Sequence, residues 1–152
     1  MNIFISSTFE DLALHYQSLV RAIRENGMNV AEVPHSQNMV LANIESLRKA
    51  DLFIGIYASR YGDILKDFEL SLTEIVYEEA LRLQIPRLIY LVDPHASWAV
   101  EHLHTNFQGA MMRIFLDRFP QENPEIRYFD TPQDLTQKAL LDIAAIVARK
   151  NA

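Results

Sequence analysis

The sequence predicts a three-layer α/β fold built on a doubly wound, five-stranded parallel sheet. Five short β-prone runs alternate with longer segments of helical period, which is the pattern of successive βα units. The third and fourth runs, residues 52–57 and 87–92, are almost entirely apolar, as strands covered on both faces should be. Because right-handed crossovers leave few arrangements for five such units, we expect the flavodoxin-like strand order 2-1-3-4-5.

The first two βα units begin with predicted strands at residues 2–5 and 28–33. After the first strand, apolar residues recur at helical spacing from about residue 11, and Asn26-Gly27 ends that helix. A second helix is expected over residues 40–49, directly before the third strand.

The remaining helices carry recognisable start signals. Ser71 and Glu74 have the spacing of a capping box, so the third helix should begin there. A fourth helix is expected over residues 99–118 and a short fifth strand over residues 126–129. Thr131-Pro132 offers an N-cap followed by a proline at the first helical position, which predicts a last helix running to about residue 149.

Composition narrows the class of protein. The 152 residues suit one domain over residues 1–152, although the chain could also be a domain cut from the N-terminus of a larger protein. A formal net charge of −6 disfavours nucleic acid as a partner, and the absence of cysteine excludes disulfides and thiolate sites. No apolar run approaches the roughly 20 residues that span a bilayer, and residues 1–4 lack the basic start of a signal peptide. We therefore expect a cytoplasmic protein with no membrane partner.

The predicted strand order also places a binding site. Connections leave strands one and three in opposite directions, so a crevice opens beyond their carboxyl ends, where ligands of such folds bind. After strand one, Ser6-Ser7-Thr8 places hydroxyls before a helix N-terminus that can hold an anion, or merely caps that helix. The predicted ligand-binding residues are Ser6, Ser7, Thr8, Phe9, Arg60, Tyr61, Gly62 and Ser71.

After strand three, Arg60-Tyr61-Gly62 supplies a cation, an aromatic face and a glycine that permits close approach, a combination that suits a nucleotide. The alternative is that Arg60 pairs with a carboxylate of the third helix for purely structural reasons. No glycine-rich phosphate loop is present, which disfavours a P-loop NTPase or a dinucleotide dehydrogenase.

Three glutamates of the third helix fall on different faces. Glu74 lies in the first turn, nearest the crevice, where capping alone could explain it. Glu78 is expected on the solvated face. Glu79 lies on or beside the apolar stripe, so it is either an edge residue or a buried acid paired with Arg60 or a tyrosine.

We expect no metal site and no serine nucleophile. His102 and His104 lack the spacing of known zinc motifs, so a polar loop anchored by Trp98 is the simpler interpretation. Gly-x-Ser-x-Gly does not occur in the sequence.

Four motifs in order resemble one family of signalling domains. They are IFISSTFEDL at residues 3–12, DLFIGIY with RYG at residues 51–62, SLTEIVYEEA at residues 71–80 and PRLIYLVD at residues 86–93. Together they resemble the domain of unknown function found at the N-terminus of STAND-type NTPases and of NACHT- or repeat-containing signalling proteins. The resemblance is strong over about residues 1–95.

The resemblance implies a fold related to TIR domains and nucleoside deoxyribosyltransferases. It implies a signalling or effector domain that acts through self-association or by docking a partner protein. The alternative that it implies is an N-glycohydrolase, in which a helix-three glutamate acts on NAD or another nucleotide as substrate, with no cofactor. Val76 stands where the family usually has that glutamate, so Glu74 and Glu79 are the predicted catalytic residues.

Overall fold

The computed structural model describes residues 1–96 and 107–152. The described part of the chain alternates strands and helices throughout. Its elements are β1 (Asn2–Ser7), α1 (Phe9–Glu25), β2 (Asn29–Val30), α2 (Met39–Leu47), β3 (Leu52–Tyr57), α3 (Leu72–Arg82), β4 (Arg87–Val92), α4 (Phe107–Glu122), β5 (Ile126–Phe129) and α5 (Pro132–Lys150).

The five strands form one parallel sheet in the order β2-β1-β3-β4-β5, which confirms the predicted topology. In this register Ser6 of β1 lies beside Gly55 of β3, so the ends of the two central strands are level. The sheet therefore presents the carboxyl ends of β1 and β3 side by side at one edge, where the chain turns into α1 and into the loop before α3.

Each face of the sheet carries its own core, as a doubly wound fold requires. One core packs α1 and α5 against the sheet, with Leu19 and Ile143 fully or almost fully buried. The other lies under α2, α3 and α4 and is rich in aromatic rings. In it Phe119 stacks on Tyr57 at 4.8 Å and meets Tyr77 edge-on at 4.9 Å.

The predicted bounds of β3, β4 and β5 are confirmed, whereas the second strand and the fourth helix differ from expectation. β2 covers only Asn29–Val30, not residues 28–33. The carbonyl of Glu32 accepts a hydrogen bond from Ser46 Oγ of α2 at 3.0 Å, so the chain beyond β2 turns toward α2. α4 extends to Glu122 instead of residue 118. The predicted loop with Trp98, His102 and His104 lies outside the described residues.

The start of α1 also differs from the prediction. The helix begins at Phe9, two residues early, but Leu12 breaks it with φ −119° and ψ 16°. The Leu12 side chain is fully buried, so the residue at this break is anchored in the core. Nowhere in the described ranges does a helix combine the length and apolar character needed to cross a membrane.

Candidate functional site

A crevice of about 760 Å³ opens where the carboxyl ends of β1 and β3 meet, at the predicted position. Its walls come from the start of α1, the loop after β3, the first turns of α3 and the chain that follows β2. The structure brings six of the predicted ligand-binding residues together in its lining: Ser6, Ser7, Thr8, Phe9, Arg60 and Gly62.

Hydroxyl groups line the β1 side of the crevice. Thr8 stands at the N-cap position of α1 but makes no capping hydrogen bond, and its hydroxyl donates to the carboxylate of Asp11 instead. Ser7 Oγ is buried and has no hydrogen-bond partner within the described ranges. The capping alternative therefore does not account for these hydroxyls, and Ser7 Oγ keeps its hydrogen-bonding capacity for another group.

Gly62 allows the loop after β3 to approach α1 and α3. Its φ of +92° is a left-handed conformation that side chains disfavour. A Cβ at this position would lie 2.8 Å from Thr73 Oγ1 and 3.3 Å from Thr8 Cγ2. The glycine thus lets three walls of the crevice meet.

Arg60 forms an ion pair with Glu10 across the mouth of the crevice. Arg60 Nη1 lies 2.6 Å from Glu10 Oε2, with the two side chains 23% and 68% exposed. The sequence suggested a carboxylate of the third helix as the partner, whereas the recorded ion pair is with α1. The sequence placed Glu10 in the lining of the crevice, three residues after the end of β1, but did not identify it as the partner of Arg60.

Phe9 adds an aromatic surface to the same wall. Its side chain is 62% exposed, and its ring contacts Tyr16 edge-on at 5.0 Å. At this exposure, a large part of the Phe9 side chain is accessible to solvent beside the crevice. An exposed aromatic ring of this kind can stack on a planar group such as a nucleobase.

Tyr61, Ser71 and Glu74 form a buried unit that does not line the crevice. The fully buried Tyr61 hydroxyl accepts the Ser71 backbone N–H at 3.2 Å and donates to Glu74 Oε1 at 3.2 Å. Ser71 Oγ accepts the Glu74 backbone N–H at 3.2 Å, which confirms Ser71 as the N-cap of α3. In a complete capping box the Glu74 side chain would accept the Ser71 backbone N–H, and here the Tyr61 hydroxyl accepts it instead.

Glu74 faces α4 instead of the crevice. It is 5% exposed, and its Oε2 lies 3.8 Å from Arg118 Nη1. Burial raises the pKa of Glu74 above its ordinary value, while the hydrogen bond from Tyr61 and the charge of Arg118 oppose that rise. Arg118 also pairs with Glu78 at 2.5 Å and with Glu122 at 2.7 Å, so Glu78 is an ion-pair partner and not merely a solvated residue.

Glu79 lies on the side of α3 that faces α2. Arg82 donates two hydrogen bonds to its carboxylate, one of them from Nε at 2.9 Å, and Arg48 lies 3.9 Å away. The hydrogen bonds from Arg82 lower the pKa of Glu79. Its partners are thus arginines of α3 and of the turn after α2, so of the two alternatives the edge residue fits better than a buried acid paired with Arg60 or a tyrosine.

The part of α3 that does reach the crevice carries no carboxylate. It contributes Leu72, Thr73 and Val76, and Val76 is only 2% exposed. Acids line the crevice elsewhere, at Glu10, Glu32 and Asp63. Among the described residues, no group of three or more metal-ligating side chains could hold a metal ion.

Two solved structures share this fold over nearly their whole length. The CMP N-glycosidase BcmB of Clostridium botulinum has a TM-score of 0.60 at 13% identity, covering 93% of this chain and 98% of that one. A chain of the RPS4 and RRS1 TIR domain heterodimer has a TM-score of 0.56 at 13% identity, covering 95% and 97%. At such low identity the similarity establishes the fold, which does not by itself fix function.

Sequence comparison gives a more direct assignment. No curated protein matches the chain. One family model matches residues 2–144, from β1 into α5. The chain therefore belongs to the family described as Domain of unknown function (DUF4062).

Proposed function

We propose that this TIR-like domain binds a nucleoside or nucleotide in the crevice between β1 and β3 and signals by associating with another protein. The observation that carries the proposal is the composition of the crevice. It combines a Ser7 hydroxyl that has no hydrogen-bond partner among the described residues, the ion pair of Arg60 with Glu10, and the exposed aromatic ring of Phe9. A nucleoside offers complementary groups, namely sugar hydroxyls for the polar side chains and a planar base for the ring.

The volume of the crevice supports a ligand of this size. About 760 Å³ lies within the range of roughly 300–1,000 Å³ found for small-molecule pockets. Phe9 stands at its edge and Tyr61 is buried behind it, so neither of these rings fills it. Its place at the carboxyl ends of two adjacent parallel strands is where α/β folds bind ligands.

Association with another protein is the second part of the proposal. One structure of the same fold is a heterodimer of TIR domains, and the sequence motifs resemble the N-terminal domain of STAND-type proteins. We propose that this domain acts within such a protein in the cytoplasm, through self-association or by docking a signalling partner. Sedimentation velocity over a concentration series, with and without added ligand, tests this part. A monomer at every concentration, and no capture of a partner domain, would contradict it.

Binding is tested first with cytidine, CMP, adenosine, AMP and NAD, using calorimetry and amide chemical shifts of the labelled domain. Phe9→Ala should weaken binding about 5- to 150-fold, because stacking of one base on an aromatic ring is worth about 1–3 kcal/mol. Leu14→Ala is the matched control, because it removes a 70% exposed apolar side chain from α1 outside the crevice. If none of these compounds shifts the crevice amides, the binding proposal fails.

Hydrolysis of an N-glycosidic bond is a second candidate function for the same crevice. The specific observation in its favour is that carboxylates line the crevice, since a carboxylate can stabilise or capture the cationic carbon that forms when a base leaves a sugar. The similarity of the fold to a CMP N-glycosidase is consistent with this candidate. Neither Glu74 nor Glu79 lines the crevice, so their proposed catalytic role needs a direct test.

Chromatography of free base after incubation with CMP and NAD provides that test. Base release abolished by Glu74→Gln or Glu79→Gln would support the α3 carboxylates as catalytic residues. Base release that survives both of these changes and disappears in Glu10→Gln would instead identify Glu10 of α1 as the catalytic carboxylate. If no base is released at high protein concentration, the domain binds without cleaving and the first candidate stands alone.

A further inference from the structure

We infer that Glu10 sets the charge of the ligand, so that the crevice binds an uncharged nucleoside more tightly than the same nucleoside bearing a phosphate. This inference rests on the proposed binding function and specifies its ligand class. Its basis is the ion pair across the mouth of the crevice, in which Glu10 Oε2 already occupies Arg60 Nη1 at 2.6 Å. A phosphate that approaches the Arg60 guanidinium therefore meets the negative charge of this carboxylate beside it.

The other charges of the crevice reinforce the effect of Glu10. Its described lining holds two arginines, Arg24 and Arg60, and three acids, Glu10, Glu32 and Asp63. Arg24 is itself paired with Glu32 at 3.2 Å. Because each arginine has an acidic partner and Asp63 adds a third carboxylate, the lining carries one net negative charge. A phosphate monoester, with nearly two negative charges at pH 7, enters this environment against repulsion.

The same groups suit a neutral sugar. Carboxylate oxygens accept hydrogen bonds from sugar hydroxyls, and an arginine-bound carboxylate is held in place to do so. Glu10 is 68% exposed, so its remaining acceptor sites are open to a ligand while Arg60 fixes its position. Ser7 Oγ adds a hydrogen-bonding group from β1. A nucleoside can therefore bind without disturbing the ion pair, whereas a phosphate at Arg60 competes with Glu10 for the guanidinium and is repelled by its charge.

Matched pairs of ligands test this inference. Dissociation constants are measured for cytidine against CMP and for adenosine against AMP, at pH 7 and constant ionic strength. The unmodified domain should bind each nucleoside about fivefold or more tightly than its monophosphate. In Glu10→Gln the monophosphates should gain about tenfold in affinity, because the charge of Glu10 then no longer competes for the guanidinium or repels the phosphate. The nucleosides should change by less than about threefold, because the amide oxygen still accepts hydrogen bonds.

Glu25→Gln is the matched control. It removes the same charge from the other end of α1, at an exposed position outside the crevice, so it should leave both affinities unchanged. A monophosphate that binds the unmodified domain more tightly than its nucleoside would overturn the inference and leave the binding proposal intact. An unchanged preference in Glu10→Gln would do the same. If neither ligand of either pair binds any variant, both the inference and the proposed function fall.

Discussion

Two acid–arginine groups lie near the loop after β3, and they differ in their exposure to water. Glu10 and Arg60 pair at the mouth of the crevice, where the glutamate is 68% exposed. By contrast, Glu74 is 5% exposed and lies among Tyr61, Arg118 and the aromatic core. The exposed pair is thus available for ligand chemistry, whereas the buried group holds α3, α4 and the loop together.

Removing a ring from the buried side should have the largest effect on stability. Phe119 is fully buried and packs on both Tyr57 and Tyr77. We expect Phe119→Ala to lower the free energy of unfolding by about 3–5 kcal/mol, through lost burial and the cavity left behind. Urea unfolding measures this change, with the exposed Phe107→Ala as its control. Equal effects of the two substitutions would show that the buried ring contributes no more to stability than the exposed one.

Tyr61→Phe tests the hydroxyl that joins the loop to α3. The substitution keeps the ring but leaves the Ser71 N–H and Glu74 Oε1 without the partner that each has now. We expect a loss of about 1–3 kcal/mol, the usual cost of leaving buried polar groups unsatisfied. Tyr128→Phe removes a hydroxyl from a 46% exposed ring and should cost far less. A difference below a few tenths of a kcal/mol would mean that a bridging water replaces the Tyr61 hydroxyl.

The pH dependence of stability isolates the buried carboxylate. Because burial raises the pKa of Glu74, the folded protein holds this proton more tightly than the unfolded chain does. Stability should therefore fall as the pH rises from the ordinary value of 4.5 toward the raised one. Glu74→Gln removes this titrating group. The unfolding free energy of the unmodified protein minus that of Glu74→Gln should therefore fall as the pH rises through this range.

Glu78→Gln serves as the control for that measurement, because it removes one charge from a half-exposed carboxylate beside the same Arg118. The unfolding midpoint in urea, followed by circular dichroism from pH 4 to pH 7, gives the comparison. A pH-independent difference between Glu74→Gln and the unmodified protein would show that Glu74 has no raised pKa in the folded state.

The smallest effect on stability belongs to the exposed pair. We expect Glu10→Gln to change the free energy of unfolding by less than about 1 kcal/mol, because solvent screens an exposed ion pair. Thermal unfolding at low and high salt measures the change. A larger loss would show that Glu10 is part of the structural framework, and it would remove the contrast between the two groups.

The sequence predicted the sheet well because its strands carry their own signals. β3 and β4 are continuous apolar runs, and the strand order follows from the handedness of the crossovers. The short β2 was overestimated, because local pattern does not show that the Glu32 carbonyl bonds to Ser46 of α2. Long-range partners of this kind are not visible in periodicity.

The location of the crevice was also predictable, since topology places it, but the partners within it were not. Arg60 follows β3 and Glu10 follows β1, and no local pattern shows that the two side chains meet across the crevice. The hydrogen bonds of Tyr61 are likewise not visible in local pattern. The helical period showed that the α3 glutamates point to different faces, but it could not identify Arg118 and Arg48 as their ion-pair partners.

The break at Leu12 has a consequence for local stability. It separates the turn that bears Phe9 and Glu10 from the longer helix that packs on α5, while the Leu12 side chain stays anchored in the core. That turn can open without disrupting the hydrogen bonds of the longer helix, so its amides should exchange with solvent at a lower free energy than those of residues 15–25. Amide hydrogen exchange would then report ligand occupancy directly, as protection gained at residues 9–11.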